Sequence, residues 1–385
     1  MVKALILCSV LWMSWFAQGQ MIRVGLFSEA SLKTVQFQSG NGNFFFFNDT
    51  GFVQKLQATD VFTVTLGISK KMDVKLNGVY LMSCSKVQLI QEKAENYFTI
   101  KPIAPAIKER SYEGDFELTS NGTKMTLVNV LDIENYLEGV VESESGTGQN
   151  QEYYKAQAII SRTYALKYWS KHNADGYNVC DRVHCQAYLH RRLTAHLIDS
   201  AVRKTAGVVM LDDAYKLYPT YFHANCGGQT CEPGHIWNEN LPGFETFRDT
   251  FCVRTKQANW EKRIPVSEWT AFMVKKYDFP VNDSTSLNLL YNFKQDQRQA
   301  FFIHPSYGIP LRDVREAFQL KSTFFSCSHE GEQIVIKGKG YGHGVGLCQE
   351  GAMNMSRKGY DHKQILEFYY PAMHLEGRYD LVKKR

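Results

Sequence analysis

Acids, bases, thiols and imidazoles crowd into one stretch, Glu134 to Tyr188, reading ENYLEGVVESESGTGQNQEYYKAQAIISRTYALKYWSKHNADGYNVCDRVHCQAY. Glu144 lies in its Ser/Gly-rich segment ESESGTGQN, between two helical patterns. A carboxyl held beside structured elements and shielded from water keeps its proton to higher pH and can donate it to a leaving oxygen. Glu138, Glu142 and Glu152 are close in sequence, so a solvated acidic patch is the plain alternative, and Glu142 is a second candidate for the acid. Lys155 and Arg162 are seven residues apart, hence on nearly one helical face and about 10 Å apart along the axis. They could orient an acid or bind an anionic substrate. His172, Cys180, His184 and Cys185 gather two imidazoles and two thiols within 14 positions. That donor set suits tetrahedral Zn²⁺; a Cys180–Cys185 disulfide or free buried thiols are the other readings.

A second chemical segment lies near the C-terminus, GKGYGHGVGLCQEGA. Its glycines alternate and lack the order of a nucleotide-binding loop. Alternating glycine lets backbone turn tightly and approach a ligand, and His343, flanked by glycines, could reach into a groove. Cys226 and Cys231 read as a local disulfide or structural pair. Cys226 with His223, or Cys348 with His343, could form a thiolate–imidazole pair, but neither has the surroundings of a cysteine protease.

These groups need elements to position them. Residues 21 to about 130 alternate as strands, with hairpin signals at LNGV and SNGT; FFFFND at 44–49 reads as a buried strand. From Asp132 the period changes to helical: a short helix from Ile133 to about Val141, a loop carrying Glu144, then an amphipathic helix from about Asn150 to His172. A helix is expected near His190–Thr205, and a strand pair, 207–210 with 219–223, around the Asp212-Asp213 turn. Residues 240–335 read as mixed, with helices near Val266–Lys276 and Leu311–Leu320. The C-terminal segment reads as strand, glycine loop and two helices. The fold class expected is α+β: a β-rich N-terminal region over 20–125, then a mixed α/β region over 126–385 with a long central helix, interrupted by an insert at 251–334.

The chain has 385 residues, 44% hydrophobic and 13% aromatic, ample for a core. Residues 1–19 carry Lys3, an apolar run and a small-x-small site at Ala17-Gln18-Gly19, the pattern of a secretory signal peptide. The run is too short to span a membrane, and no later stretch is long enough. The expectation is an exported protein, periplasmic or extracellular and associated with the cell wall, with no transmembrane segment. Without Lys3 the formal charge is +4, suited to an anionic polymer and too weak to argue for nucleic acid. Eight cysteines remain beyond Cys8, an even count compatible with disulfides or metal ligation.

Taken together, YLEGVVESE, YYKAQAIISRTYAL, GYNVCDRVHCQAY, TAGVVM with YFHANCGGQT and Trp237, and GKGYGHGVGLCQEGAMNMSRKGYDHKQILEFYYP resemble the family of stage II sporulation protein D and the bacterial amidase enhancers. They occur in the family's order, over roughly 125–250 and 335–375. The resemblance implies cleavage of peptidoglycan glycan strands by lytic transglycosylation. The family's catalytic glutamate falls on Glu144, although Ser145 and Gly146 stand where Met-Pro is usual. Lys155, Arg162 and His343 are assigned supporting catalytic roles, and Tyr221, His223 and Gln349 substrate contacts. The family's zinc ligands map onto Cys180, His184, Cys185 and His172, with a Cys-to-His-Cys spacing one residue shorter than in sporulation members. No organic cofactor is implied. The accessory branch implies instead a non-catalytic, glycan-binding enhancer partnered with a cell-wall amidase.

Overall fold

The computed structural model describes residues 20–191 and 196–377; residues 1–19, expected from the sequence to be a signal peptide, lie outside the described residues. The chain divides into two compact units, one of 30–136 with the first strand, the other of 137 onward with Phe27–Glu29. The division falls at Tyr136/Leu137, so the strand Met125–Asp132, assigned from sequence to the start of the second region, pairs inside the first unit.

The first unit is built of strands whose alternate residues are buried. One sheet runs in the order Met21–Leu26, Met125–Asp132, Asp115–Ser120, Lys86–Gln91, Phe44–Asn48, Gly51–Leu56. The other runs Arg110–Glu113, Tyr97–Ala104, Thr34–Asn41, Val61–Leu66, Met72–Leu76, Val79–Cys84. Phe44 and Phe46 of the aromatic run point inward; Phe44 meets Phe37 edge-on at 5.1 Å and Phe46 meets Phe62 at 4.9 Å. The inward rings of the two sheets thus form one aromatic core. Asn77 and Gly78, both at positive φ, make the two-residue turn of the LNGV hairpin.

The second unit is organised on the helix Gln151–Lys167. An amphipathic helix is expected there, but the observed one is buried almost all round, from Tyr153 to Leu166 apart from Lys155. Its polar residues are satisfied internally: the Tyr153 hydroxyl donates to Gln157 at 3.1 Å, and Gln157 donates to Ser161 at 3.1 Å. That polar ladder hides the burial from a pattern reading. The helices His196–Lys204, Gln349–Arg357 and His362–Tyr369 and the strand Val209–Leu211 pack around it.

The preceding helix, Ile133–Ser145, runs four residues beyond its expected end and stops where Gly146 takes φ +65°. The expected strand pair does not form. Residues 211 and 217 share a single bridge across the Asp212 turn. Val209–Leu211 pairs instead with His374–Glu376, and Phe222–His223 pairs in parallel with Leu347–Cys348. Both partners come from the C-terminus, too distant in sequence for local turn chemistry to reveal.

Within 251–339 a three-stranded sheet, Asn259–Pro265, Gln333–Lys339 and Phe325–Glu330, packs with the helices Val266–Tyr277, Ser284–Tyr291 and Leu311–Ala317 around Trp269. Its central strand leads into the glycine loop. Gly340, Gly342, Gly344 and Gly346 all have positive φ, and a Cβ on Gly346 would lie 2.0 Å from the Tyr221 carbonyl. Only glycine lets this loop lie against the Phe222–His223 strand.

Gly139 makes the other close approach. A Cβ there would lie 2.6 Å from both the His190 carbonyl oxygen and the Tyr188 ring. Gly139→Ala is therefore expected to lower stability by about 1–3 kcal/mol, the usual cost of overpacking. Urea unfolding measures it; an unchanged midpoint would show that the segment around Tyr188 does not rest on this helix.

Candidate functional site

Glu144 sits in the last turn of the Ile133–Ser145 helix, a correction to the loop expected there. The turn after it is fastened by two tyrosines of the next helix. The Tyr153 hydroxyl is 2.9 Å from Ser145 Oγ, and the Tyr154 hydroxyl donates to the Gly146 carbonyl at 2.9 Å. The Glu144 carboxylate accepts the Ala187 N–H at 2.7 Å. Ser143 Oγ accepts the Leu189 N–H at 3.1 Å, so the segment after the Cys/His cluster is tied to both side chains. Burial raises the Glu144 carboxyl above its ordinary value, while the hydrogen bonds from Ala187 and Gln349 act against it.

Glu144 lines a cavity of about 880 Å³. Of the residues singled out from the sequence, His343, Tyr221, His223, Gln349, His184 and Cys185 line the same cavity. The cavity is within the usual size of ligand sites. Tyr221, Trp237 and His343 form an aromatic wall, with Trp237 4.6 Å from the Tyr221 ring and 5.1 Å from His343. Both histidines are neutral. Burial, and then Arg315, push His343 down to about 3, and its Nδ1 accepts the Val345 N–H at 3.0 Å. Burial, and then His343, push His223 well below its ordinary value. His223 Nδ1–H donates to the Val345 carbonyl at 3.1 Å, leaving its buried Nε2 as an acceptor without a partner. Gln349 opens the Gln349–Arg357 helix and donates to Gln157 at 3.4 Å.

Lys155 and Arg162 are not among the cavity residues. Lys155 is paired with Glu152 at 2.5 Å. Arg162 is buried and donates to the carbonyls of Val208 at 3.1 Å and Val202 at 3.5 Å. Bonds from a buried guanidinium to backbone carbonyls are a use of arginine that is invisible in spacing. Partial burial raises the Glu152 carboxyl, but bonds from Lys155 and His362 outweigh it and hold it at about 2. Glu142, the rival acid, is buried and is not part of the cavity lining. The cavity's cations are Lys171 and Arg315, and Tyr164 and Tyr168 add to its wall. Tyr164, Tyr168 and Lys171 are spaced i, i+4, i+7, a helical-face signal as regular as that of Lys155 and Arg162. Arg315 and Trp237 had no such signal.

His172, Cys180, His184 and Cys185 converge: their donor atoms all lie within 4.8 Å of one another. Cys185 Sγ is 3.4 Å from His172 Nε2, and Cys180 Sγ is 3.8 Å from His184 Nδ1. Asp175 Oδ2 is 3.1 Å from His172 Nδ1 and orients that ring, as carboxylates do behind metal-bound imidazoles. A hydrogen bond from Cys185 is the main cause that lowers the Cys180 thiol, to about 4. Two thiols, two imidazoles and an orienting carboxylate fit a tetrahedral Zn²⁺. Between Cys180 and Cys185, the buried Asp181 accepts from the Phe27 N–H at 2.7 Å and from Ser28 Oγ at 3.0 Å, anchoring the loop's start.

Residues 121–211 match the family model described as Stage II sporulation protein. Over 263 residues the chain is 28% identical to an uncharacterized protein of Brachyspira hyodysenteriae, covering 67% of this chain and 70% of that one. It is 24% identical over 263 residues to stage II sporulation protein D of Bacillus subtilis, covering 63% and 74%. It is 25% identical over 285 residues to the amidase enhancer of Bacillus subtilis, covering 61% of this chain and 39% of that one.

Because its folded-state value is raised, Glu144 costs stability once ionised. The folded chain holds this proton more tightly than the unfolded one, so stability falls as pH rises from the ordinary value of 4.5 through the folded value. Glu144→Gln is expected to raise the melting temperature at pH 7 and to leave it unchanged near pH 4. Thermal melts across that range check it; a variant less stable than the native chain at pH 7 would contradict the raised value.

Proposed function

This chain belongs to the family of stage II sporulation protein D and the amidase enhancers, and from that premise we propose that it acts on the bacterial cell wall as a lytic transglycosylase of peptidoglycan glycan strands. The observation that carries this reading is a single carboxyl with a raised value at the edge of a cavity walled by Tyr221, Trp237 and His343. Sugar rings present apolar faces that stack on such rings. Glu239, the other acid of the lining, is exposed and has no comparable setting.

The chemistry needs one acid. Protonated Glu144 gives its proton to the glycosidic oxygen linking N-acetylmuramic acid to N-acetylglucosamine, and the bond to C1 breaks. The carboxylate so formed takes the proton of the muramyl C6 hydroxyl as that oxygen bonds to C1. The products are a free N-acetylglucosamine end and a 1,6-anhydro sugar; no water is consumed, so no second carboxylate has to activate one. The Ala187 N–H holds the carboxylate after each transfer. Unpartnered His223 Nε2 accepts from a sugar hydroxyl. Lys171 and Arg315 suit the carboxylates that muramic acid and its peptides carry.

His172, Cys180, His184 and Cys185 would hold Zn²⁺, which supplies a structural cross-link there. Its place in the mechanism is indirect: Ala187 follows Cys185 by two residues, so bracing this loop holds the N–H that positions Glu144. Residues 1–19 are proposed as the signal that exports the protein to its substrate. Among the described residues, no helix is long and apolar enough to cross a membrane.

The similarity to an amidase enhancer supports a second reading, in which the cavity binds glycan, Glu144 is a ligand contact and a wall amidase is the partner. Mass spectrometry of products from purified peptidoglycan separates the two. The native chain is expected to release anhydro-muropeptides, and Glu144→Gln to lose at least about 100-fold of that activity, the scale of acid–base catalysis. Anhydro products formed equally by the variant would remove Glu144 from the role. No anhydro product from the native chain, with stimulation of an added amidase, would establish the accessory reading.

A further inference from the structure

Beyond the cavity, a second cluster of donors has no role in the proposed chemistry. Cys226, Asp249, Cys252 and Cys348 are all fully buried. Their four donor atoms lie within 4.8 Å of one another. Cys226 Sγ is 3.3 Å from Cys252 Sγ and 3.2 Å from Asp249 Oδ2. The sequence pairs Cys226 with Cys231, but Cys231 instead faces His235, 3.8 Å from its ring nitrogen.

The surroundings are arranged for anionic sulfur and oxygen. Cys348 Sγ accepts the N–H groups of Cys226 at 3.3 Å and Gly351 at 3.4 Å. Cys348 also caps the Gln349–Arg357 helix, whose N-terminal dipole favours negative charge. Asp249 Oδ2 accepts the Tyr369 hydroxyl at 2.9 Å, and Oδ1 accepts the Phe251 N–H at 2.8 Å. A buried carboxylate among three thiols is costly unless it is paired, and among these neighbours there is no cationic side chain to pair it. A bound cation resolves that cost.

We propose that Cys226, Cys252, Cys348 and Asp249 form a second metal site that takes one Zn²⁺. Three sulfurs and one oxygen suit this ion. A Zn–S bond of about 2.3 Å sets tetrahedral donors about 3.8 Å apart, so a 4.8 Å cluster encloses one ion and is too tight for an iron–sulfur cluster. The site joins three segments remote in sequence: the turn after Phe222–His223, the 249–252 loop and the start of the Gln349 helix. His223 precedes Cys226 by three residues, and Gln349 follows Cys348. The ion therefore pins the strand pair that carries two cavity residues, in the way that a cross-link over long loops does.

The test is metal counting on the full chain by native mass spectrometry, after expression with zinc. In a His172→Ala/His184→Ala chain, which lacks half the donors of the first cluster, one zinc per chain is expected to remain, and adding Cys252→Ala is expected to remove it. No zinc in the first variant, or zinc unaffected by Cys252→Ala, overturns the proposal. So does a peptide map showing a Cys226–Cys252 disulfide in the chain as isolated. If the variants do not fold, X-ray absorption of the native zinc protein decides. More sulfur than nitrogen and oxygen neighbours supports two sites, and equal numbers leave only the first.

Discussion

The Ala187 N–H donated to the Glu144 carboxylate, at 2.7 Å, is the contact on which the site depends. It joins the end of one helix to the loop that leaves the Cys/His cluster, and each neighbour constrains one side of it. On the acid's side, Tyr153 and Tyr154 pin the turn after the helix, so the carboxyl cannot swing away. On the donor's side, Asp181 anchors the loop's start, the four Cys/His donors gather its middle, and Gly139 lets its end lie flat on the helix. A backbone amide is a suitable partner for an acid of this kind. It orients the carboxylate without a full positive charge, so burial remains the largest cause and the value stays raised.

The cavity's electrostatics follow the same logic. His223 and His343 line the same cavity as the acid but remain neutral, because burial disfavours their charged forms, helped next by His343 at His223 and by Arg315 at His343. Neutral imidazoles offer hydrogen-bond acceptors and ring faces without ionising the carboxyl. Lys171 is drawn to the His184 carbonyl at 2.6 Å and lies over the Tyr164 and Tyr168 rings. Its charge thereby lies along the wall of the cavity. The result is a pocket with one acid whose proton is held above the ordinary value by burial, beside an aromatic wall.

Much of this was legible in the sequence, for reasons that differ by residue. Glu144 stood out because it interrupts a helical pattern next to Ser and Gly, although the helix absorbs it before Gly146 breaks the chain direction. The Cys/His donors were readable because they are local, and local spacing survives folding. Asn77-Gly78 declared its hairpin through turn chemistry. Arg162 misled because spacing reports a helical face but not whether that face is buried, and here it is. The strand that pairs with Phe222–His223 is more than a hundred residues away, in Leu347–Cys348, and Cys226 gathers Asp249, Cys252 and Cys348 from three distant positions, beyond any local rule. Trp237 and Arg315 reach the cavity from separate elements, so only the assembled fold brings them together.

The account stands on the protonation of one side chain. Carbon-13 NMR titration of the Glu144 carboxyl in the folded protein, assigned by its loss in a Gln variant, reads that directly. A midpoint above the ordinary value of 4.5, moving when His184→Ala loosens the Cys/His loop, is the result this account predicts. A midpoint at or below 4.5 that ignores the loop would contradict it.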